Sequence, residues 1–326
     1  MGSKNTESKS APAKTPKSAA PTKSAPAPTS RILWRPKVWG GLAIVLAVGY
    51  AGHLAWKHYL PVIAQHPQYQ ITAENIRITP QPPWIRADLK TEVLRDSGLL
   101  GHLSVIGDRA ALQQRVRDAF DFNPWIAEVG QIKIDLPATL DVELKYRQPV
   151  AAVEAVEGKE VSFLPIDATG IRLPDADFSD YARRSLPRIS GVTGLPGVGE
   201  RWNDERVTSA ATLAARLADI WTQLRLVEII PSMHAQVRGE TTFYAFEIMT
   251  SGGTRIVWGA APGREQDAAE SPFDDKRKRL LDYATTHGHL DSIDGPASVD
   301  VRSDLVVLPR TAKRPGAKPA TDTKHK

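Results

Sequence analysis

Apolar and charged residues alternate most regularly over residues 132–147, and this alternation predicts a β-hairpin. Ile132, Ile134 and Leu136 occupy every second position of the first half. In the second half single charged residues separate the apolar positions, as in a strand with one buried and one solvated face; they are Leu140, Val142, Leu144 and Tyr146. Pro137-Ala138-Thr139 is short enough to join the two runs as antiparallel strands.

The residues before this hairpin predict one strand and two helices. Residues 69–78 form the strand, and residues 84–95 form a helix with Gly98 beyond its end. A second helix begins at Asp108, a residue type that caps helix N-termini, and its apolar stripe consists of Leu112, Val116, Ala119 and Phe120. With the hairpin, these elements predict a small α+β domain over residues 66–148, in which two helices cover one face of a three-stranded sheet.

Residues 149–309 predict a second, β-rich domain of mixed strands with flanking helices, so the fold class is α+β. A glycine-containing turn at Ser251-Gly252-Gly253 joins two of its strands, because glycine supplies the positive φ that tight turns need. The predicted helices cover residues 204–224 and 275–286, and the predicted strands cover 242–249, 254–258, 298–302 and 305–308. The first helix is amphipathic, with an apolar face formed by Leu213, Leu217, Ile220, Trp221 and Leu224.

An apolar stretch near the N-terminus predicts one transmembrane helix over residues 38–58. Its first 19 residues, 38–56, contain no ionised side chain. They span about 28 Å as a helix, roughly the hydrocarbon thickness of a bilayer. Because the basic residues lie mostly before the helix, the N-terminus is expected in the cytoplasm and the later domains outside it. A cleaved signal peptide is the alternative, but its apolar core is usually shorter, so we favour an uncleaved anchor.

The positive charge of the chain is concentrated at its two ends. Residues 1–37 contain eight Lys or Arg against one acid, and residues 310–326 contain six against one, so the total of +5 leaves −7 for the middle. Both ends are predicted to be disordered basic tails. The N-terminal tail either contacts anionic lipid or acidic partners, or is a soluble spacer. The acidic middle gives no reason to expect nucleic-acid binding.

The sequence offers no recognisable catalytic site, and it predicts no enzyme, cofactor or small-molecule substrate. The chain has no cysteine and no G-x-S-x-G motif, and its glycine-rich loop at 194–199 lacks the Lys-Ser/Thr of a phosphate-binding loop. His287, His289 and Asp291 are spaced closely enough to suggest a metal site, but Gly288 between them is typical of a helix C-cap, which we favour. The basic run at 276–279 is predicted to be a solvated helix face.

Short motifs in the predicted domains resemble the bacterial cell-division family called FtsQ or DivIB, and the element order of residues 69–148 is similar to that of a POTRA domain. The matching segments are Pro124-Trp125-Ile126, Pro137-Ala138-Thr139-Leu140, Tyr146-Arg147-Gln148-Pro149-Val150-Ala151, Leu186-Pro187-Arg188-Ile189-Ser190-Gly191 and Ser298-Val299-Asp300-Val301-Arg302. Tyr146 stands where the family favours an acid. The spacing from Trp125 to Pro137 is one residue longer than in the family, and a β-bulge at Gly130 would absorb the extra residue.

The resemblance implies a non-enzymatic, single-pass inner-membrane scaffold of the divisome that acts in septation. Proteins of this family join two small membrane proteins, FtsB and FtsL, near the end of the β domain. If residues 299–308 lie at a sheet edge, their unpaired backbone groups can accept a partner strand, and we predict contacts at Arg302, Leu305, Val306 and Val307. If the strand is central, these apolar residues belong to the core instead.

Two other functions compete with this hypothesis. A POTRA-containing protein could bind polypeptides in envelope secretion or outer-membrane assembly, although that role favours several repeats or a C-terminal barrel. An anchored envelope hydrolase would use His287, His289 and Asp291.

Overall fold

The computed structural model describes residues 36–99, 103–157, 160–288, 290–291 and 295–310. Most of both predicted tails lies outside the described residues. The chain divides into two compact units at Val62, and each is considered by itself. The first contains most of helix α1, Pro36–Ala64, which continues beyond the predicted apolar stretch. Residues Trp39–Ala64 are long and apolar enough to cross a membrane, with a mean hydropathy of 1.3 and no buried side chain in the apolar window.

The second unit contains the remaining helices and all the described strands. The helices are α2 Leu89–Asp96, α3 Arg109–Asp121, α4 Asp180–Ser185, α5 Glu205–Arg216, α6 Ala218–Trp221, α7 Glu265–Ala268 and α8 Phe273–His287. The strands are β1 Gln70–Ile71, β2 Ile76–Ile78, β3 Leu103–Ser104, β4 Ile126–Asp135, β5 Thr139–Tyr146, β6 Pro149–Glu157, β7 Glu160–Asp167, β8 Arg188–Ile189, β9 Leu226–Pro231, β10 Gln236–Arg238, β11 Thr241–Phe243, β12 Ala245–Thr250, β13 Arg255–Ala260, β14 Pro296–Asp300 and β15 Val306–Pro309.

The part of this unit before β6, here called the small module, is built on a three-stranded sheet in the order β2-β5-β4. Strand β5 pairs in parallel with β2 and antiparallel with β4. Apolar side chains of α2 and α3 pack with the sheet in one core that includes Leu89, Val93, Val116, Phe120 and Leu140. The two helices therefore bury the apolar face of the small sheet, since neither layer buries its own.

The predicted hairpin is confirmed, as is its bulge, except that Leu136 is exposed and follows the end of β4. The residues Leu140, Val142 and Leu144 are buried on β5, and the charged residues between them are partly or fully exposed. Val129 pairs with Leu144 and Ile132 with Val142, so two residues of β4 oppose one of β5 at Gly130. This is the local geometry of a β-bulge, which inserts one extra residue into a strand.

Two boundaries in the small module differ from prediction. The strand predicted over residues 69–78 is divided between β1 and β2, with a short 3₁₀ turn at Ala73–Asn75 between them. Helix α2 begins at Leu89 instead of residue 84, because the Asp88 carboxylate accepts a hydrogen bond from Thr91 N at 3.2 Å and caps the helix there. The predicted cap at Asp108 is confirmed, with bonds from Ala110 N and Ala111 N.

The part from β6 onward, here called the large module, is built on an eight-stranded sheet in the order β15-β14-β13-β12-β9-β8-β6-β7. Strands β6, β8 and β9 are parallel, and β14 is parallel to β13 across helix α8. One core joins strand residues such as Ile229 and Ile256 to helix residues such as Leu213 and Leu280. The large module is thus a mixed sheet covered by helices.

The predicted helix over residues 204–224 is two helices, α5 and α6, separated at Leu217. Its predicted apolar face is nevertheless buried throughout. The turn at Ser251-Gly252-Gly253 is confirmed, with φ of +80° at Gly253. The predicted solvated face at 276–279 is wrong at Lys276, which is fully buried.

Candidate partner-binding edge

The sequence left open whether residues 299–308 form a central strand or an edge strand, and the structure contains one of each. The first half of this segment is β14, which lies between β13 and β15, and its Val299 belongs to the core. Its second half is β15, which is the outermost strand of the large sheet. The predicted contact residues therefore divide: Val306 and Val307 lie on the edge strand, and Arg302 and Leu305 lie in the connection before it.

The side chains of β15 alternate between solvent and core. Val306 and Leu308 are 53% and 56% exposed, and they pair with Asp300 and Ser298 of β14. Val307, between them, packs against the core of the large module. Since successive side chains of a strand point to opposite faces, Val306 and Leu308 form one apolar exposed row on the sheet face opposite Val307.

The connection before β15 is fixed by Asp300 and Arg302. The Arg302 side chain donates to the Asp300 carboxylate through Nε, at 3.0 Å, and Nη2, at 2.6 Å, and Arg302 N donates to Asp300 Oδ1 at 3.0 Å. The bond to Asp300 raises the pKa of Arg302. Burial raises the pKa of Asp300, but the bonds from Arg302 outweigh burial, so this pKa lies below its ordinary value. Arg302 is thus bound within the chain rather than free.

A shallow pocket of about 330 Å³ lies beside β15, lined by Val306 together with Arg238, Glu270, Arg302 and Asp304. Asp300 also lines it, so the pocket brings two guanidinium groups and three carboxylates next to the exposed row. Asp304 makes no ion pair with any described residue, whereas Arg302 is paired with Asp300. The pocket adds a polar component to an otherwise apolar edge.

Glu270, in the wall of this pocket, forms a buried ion pair with Lys276 that was not predicted from the sequence. Lys276 Nζ donates to Glu270 Oε2 at 2.5 Å, and Ala260 N donates to the same oxygen at 2.9 Å. A Cβ at Gly259, where φ is +87°, would lie 2.2 Å from that oxygen, so glycine is required there. Lys276 stands three residues after buried Phe273, and this helical spacing was the available signal for its burial.

Each of the other outermost strands of the two main sheets accepts at least one hydrogen bond from outside its sheet, although β7 does so only near its end. Lys90 Nζ donates to Ile76 O of β2 at 3.4 Å, and Arg117 Nη1 donates to Val129 O of β4 at 2.5 Å. Leu173 N donates to Pro165 O of β7 at 2.8 Å. Within the described part of the chain, β15 makes hydrogen bonds to β14 and to no other element. Its outer edge therefore bonds to none of the described residues.

The candidate metal residues do not form a site in the described part of the chain. His289 lies outside the described residues, and His287 Nδ1 lies 3.2 Å from Tyr283 O. The Asp291 carboxylate accepts bonds from Ser251 Oγ at 2.6 Å and Gly252 N at 2.9 Å. Among the described residues, no group of three His, Cys, Asp or Glu side chains is placed to hold a metal ion.

No family model matches the chain, and no curated protein matches its sequence. The resemblance to FtsQ and DivIB therefore rests on the residues and element order given above.

Proposed function

We propose that the protein is a non-enzymatic, single-pass membrane scaffold of the bacterial cell-division complex, and that β15 is the strand to which a partner docks. The observation that carries this proposal is the outer edge of β15, which bonds to none of the described residues and lies beside the exposed row of Val306 and Leu308. An unpaired strand edge presents a row of N–H and C=O groups that a strand from another chain can extend.

The geometry of β15 specifies the chemistry of that partner strand. Alternate side chains of an added strand face the same side of the sheet, so its residues beside Val306 and Leu308 should be apolar. The pocket that contains Arg238 and Asp304 lies beside the same row and receives polar side chains from the partner. In the proposed function the partners are membrane proteins of the FtsB and FtsL type. The side-chain contacts are made at Leu305, Val306 and Leu308, and Val307, whose side chain faces the core, contributes backbone groups only.

The small module is a POTRA-like second docking surface in this proposal. Its support is the order β2-α2-α3-β4-β5, which matches the expected order except that the two-residue strand β3, paired with β1, lies between the helices. Partners are expected to contact its side chains rather than extend β4, because Gln113 and Arg117 already donate to the outer carbonyl groups of that strand. The two docking surfaces would then differ in kind, one a strand edge and one a side-chain surface.

The proposed topology puts residues 1–37 in the cytoplasm and both modules outside the cell membrane, at the division site. Helix α1 supports a single membrane crossing by its length and composition. The excess of basic residues before it supports the cytoplasmic side for the N-terminus. A fluorescent fusion should be enriched at midcell, and uniform envelope staining would contradict the assignment to the divisome.

A charge substitution on β15 tests the docking strand directly. We expect the double variant Val306→Lys/Leu308→Lys to lose co-purification with FtsB- and FtsL-type partners, because both exposed apolar contacts become charged. Val237→Lys is the matched control, since Val237 is 74% exposed on a different strand, β10. Equal binding by the double variant and the control would refute docking at β15.

A further inference from the structure

The exposed row of β15 has an acid before it and a base after it, and neither is paired with an opposite charge among the described residues. Asp304 stands two positions before Val306 and lines the same pocket, so it lies beside the row. Arg310 stands two positions after Leu308, and its Nη2 donates to Gly252 O at 2.6 Å but to no carboxylate that the structure describes. The edge is therefore acidic at one end, apolar in the middle and basic at the other end.

The backbone groups of Val307 face away from the large sheet. Val301, the residue after β14, donates its N–H to Val257 O of β13 at 3.2 Å. Because successive residues of a strand direct their backbone groups to alternate neighbours, Asp300 bonds toward β15, and its partner Val306 bonds toward β14. Val307 therefore directs its N–H and C=O to the outer edge, where they bond to none of the described residues.

This edge is complementary to itself when a second copy runs antiparallel to it. If Val307 lies opposite Val307 of the second copy, the same register places Val306 opposite Leu308 and Asp304 opposite Arg310. The apolar residues then form the non-hydrogen-bonded pairs, in which side chains approach most closely. A parallel pairing in register would instead place Asp304 opposite Asp304, and like charges opposite each other are destabilising. The charges therefore favour an antiparallel second copy.

We propose that β15 pairs antiparallel with β15 of a second copy of the chain, about a two-fold axis at Val307. The two Val307 residues exchange backbone hydrogen bonds, and Leu305 N–H donates to the C=O of Pro309, which has no N–H of its own. Since β15 alone is shared, the interface is small and the pair is short-lived. The pairing does not rest on the partner assigned to β15, but it would occupy the edge to which that partner docks.

Disulfide cross-linking tests the register, because the chain has no cysteine of its own. Full chains carrying Val306→Cys or Leu308→Cys, with different tags, are mixed in phosphatidylcholine vesicles without any other protein and oxidised with diamide. Directly opposite positions lie within disulfide range, whereas two copies of the same variant are diagonal, at about 7–8 Å. We expect the mixed disulfide to exceed either same-variant disulfide several-fold. Val156→Cys, 64% exposed on β6, is the control and should give only background with Leu308→Cys.

Charge reversal tests the two ends of the pair. Asp304→Arg in both cysteine variants places like charges opposite each other and should lower the mixed disulfide several-fold. Asp304→Arg in the Val306→Cys copy and Arg310→Asp in the Leu308→Cys copy restore opposite charges at both ends, and the mixed disulfide should recover. Equal amounts of mixed and same-variant disulfide, a yield no higher than that of Val156→Cys, or no effect of Asp304→Arg would each overturn the proposal. Loss of binding to FtsB- and FtsL-type partners is a separate measurement, so the two proposals can fail independently.

Discussion

Asp177 joins the two modules of the second unit, and its removal should destabilise the protein strongly. The residue belongs to the large module, and its carboxylate is almost buried. Oδ2 accepts from Trp125 Nε1 at 2.7 Å, and Oδ1 accepts from Ala87 N at 3.0 Å and Arg86 N at 3.2 Å. All three donors belong to the small module. Asp177→Ala would therefore remove the acceptor of three N–H groups in one step.

The expected loss follows from the burial of those donors. Leaving the buried indole N–H of Trp125 unpaired costs about 1–3 kcal/mol, and each part-buried backbone N–H costs about 0.5–1.5 kcal/mol. Bonds that share one acceptor are not additive, so we expect the free energy of unfolding to fall by about 3 kcal/mol. Asp177→Asn keeps one acceptor oxygen and should give an intermediate loss.

Urea unfolding of the full chain in detergent micelles, followed by tryptophan fluorescence, measures this loss. Asp175→Ala is the matched control in the same 3₁₀ turn, because the Asp175 carboxylate is 37% exposed and lies 3.5 Å from Arg172. An exposed ion pair of this kind contributes about 0–1 kcal/mol. If Asp177→Ala and Asp175→Ala unfold at the same urea concentration, the buried carboxylate does not join the modules as argued.

Three further sets of substitutions test other parts of the fold. Gln113→Ala/Arg117→Ala frees the outer carbonyl groups of β4 and should produce a concentration-dependent dimer in sedimentation; a monomer at every concentration would contradict this role. Lys276→Ala should cost about 3–5 kcal/mol by leaving Glu270 buried alone, and Lys276→Met/Glu270→Gln should cost less in thermal unfolding; equal losses would be inconsistent with this reasoning. At Asp291 burial raises the pKa, but hydrogen bonds from the β12–β13 turn outweigh burial and lower the pKa below 3.8. A carboxylate with a lowered pKa stabilises the fold above its unfolded pKa, and this stability is lost as the pH falls through the folded pKa. Asp291→Asn should therefore reduce the fall in the free energy of unfolding below about pH 4. An unchanged pH dependence in that range would exclude this contribution.

Features that depend on neighbouring residues were predictable from the sequence. The hairpin β4–β5 and the cap at Asp108 each follow from a few adjacent positions, whereas the bulge at Gly130 was expected from the spacing between Trp125 and Pro137 relative to the resembled family. The apolar face of residues 204–224 was also correct, although the break at Leu217 was not foreseen. Helical periodicity predicts which face of a helix is buried. The buried faces of α5 and α6 continue one another, so the periodicity does not predict that the helix is interrupted between them.

Features that depend on distant residues were not predictable. The bond between Trp125 and Asp177 joins positions 52 residues apart, and no local pattern marks either partner. The sequence likewise left open whether residues 299–308 were central or at an edge, because both environments favour the same apolar residues. Strand order decides this question, and it depends on the parallel pairing of β13 with β14 across helix α8.

Strand β8 has a mechanical consequence for the large sheet. It contains two residues, Arg188 and Ile189, and it is the strand through which β9 is joined to β6. Arg188 also pairs with Glu228 of β9 at 2.5 Å and with Glu154 of β6 at 3.5 Å. A force applied to β15 by a bound protein would be carried across the large sheet by the backbone hydrogen bonds between its strands. Because β8 forms only two residue pairs with β9 and two with β6, the sheet would first separate at β8.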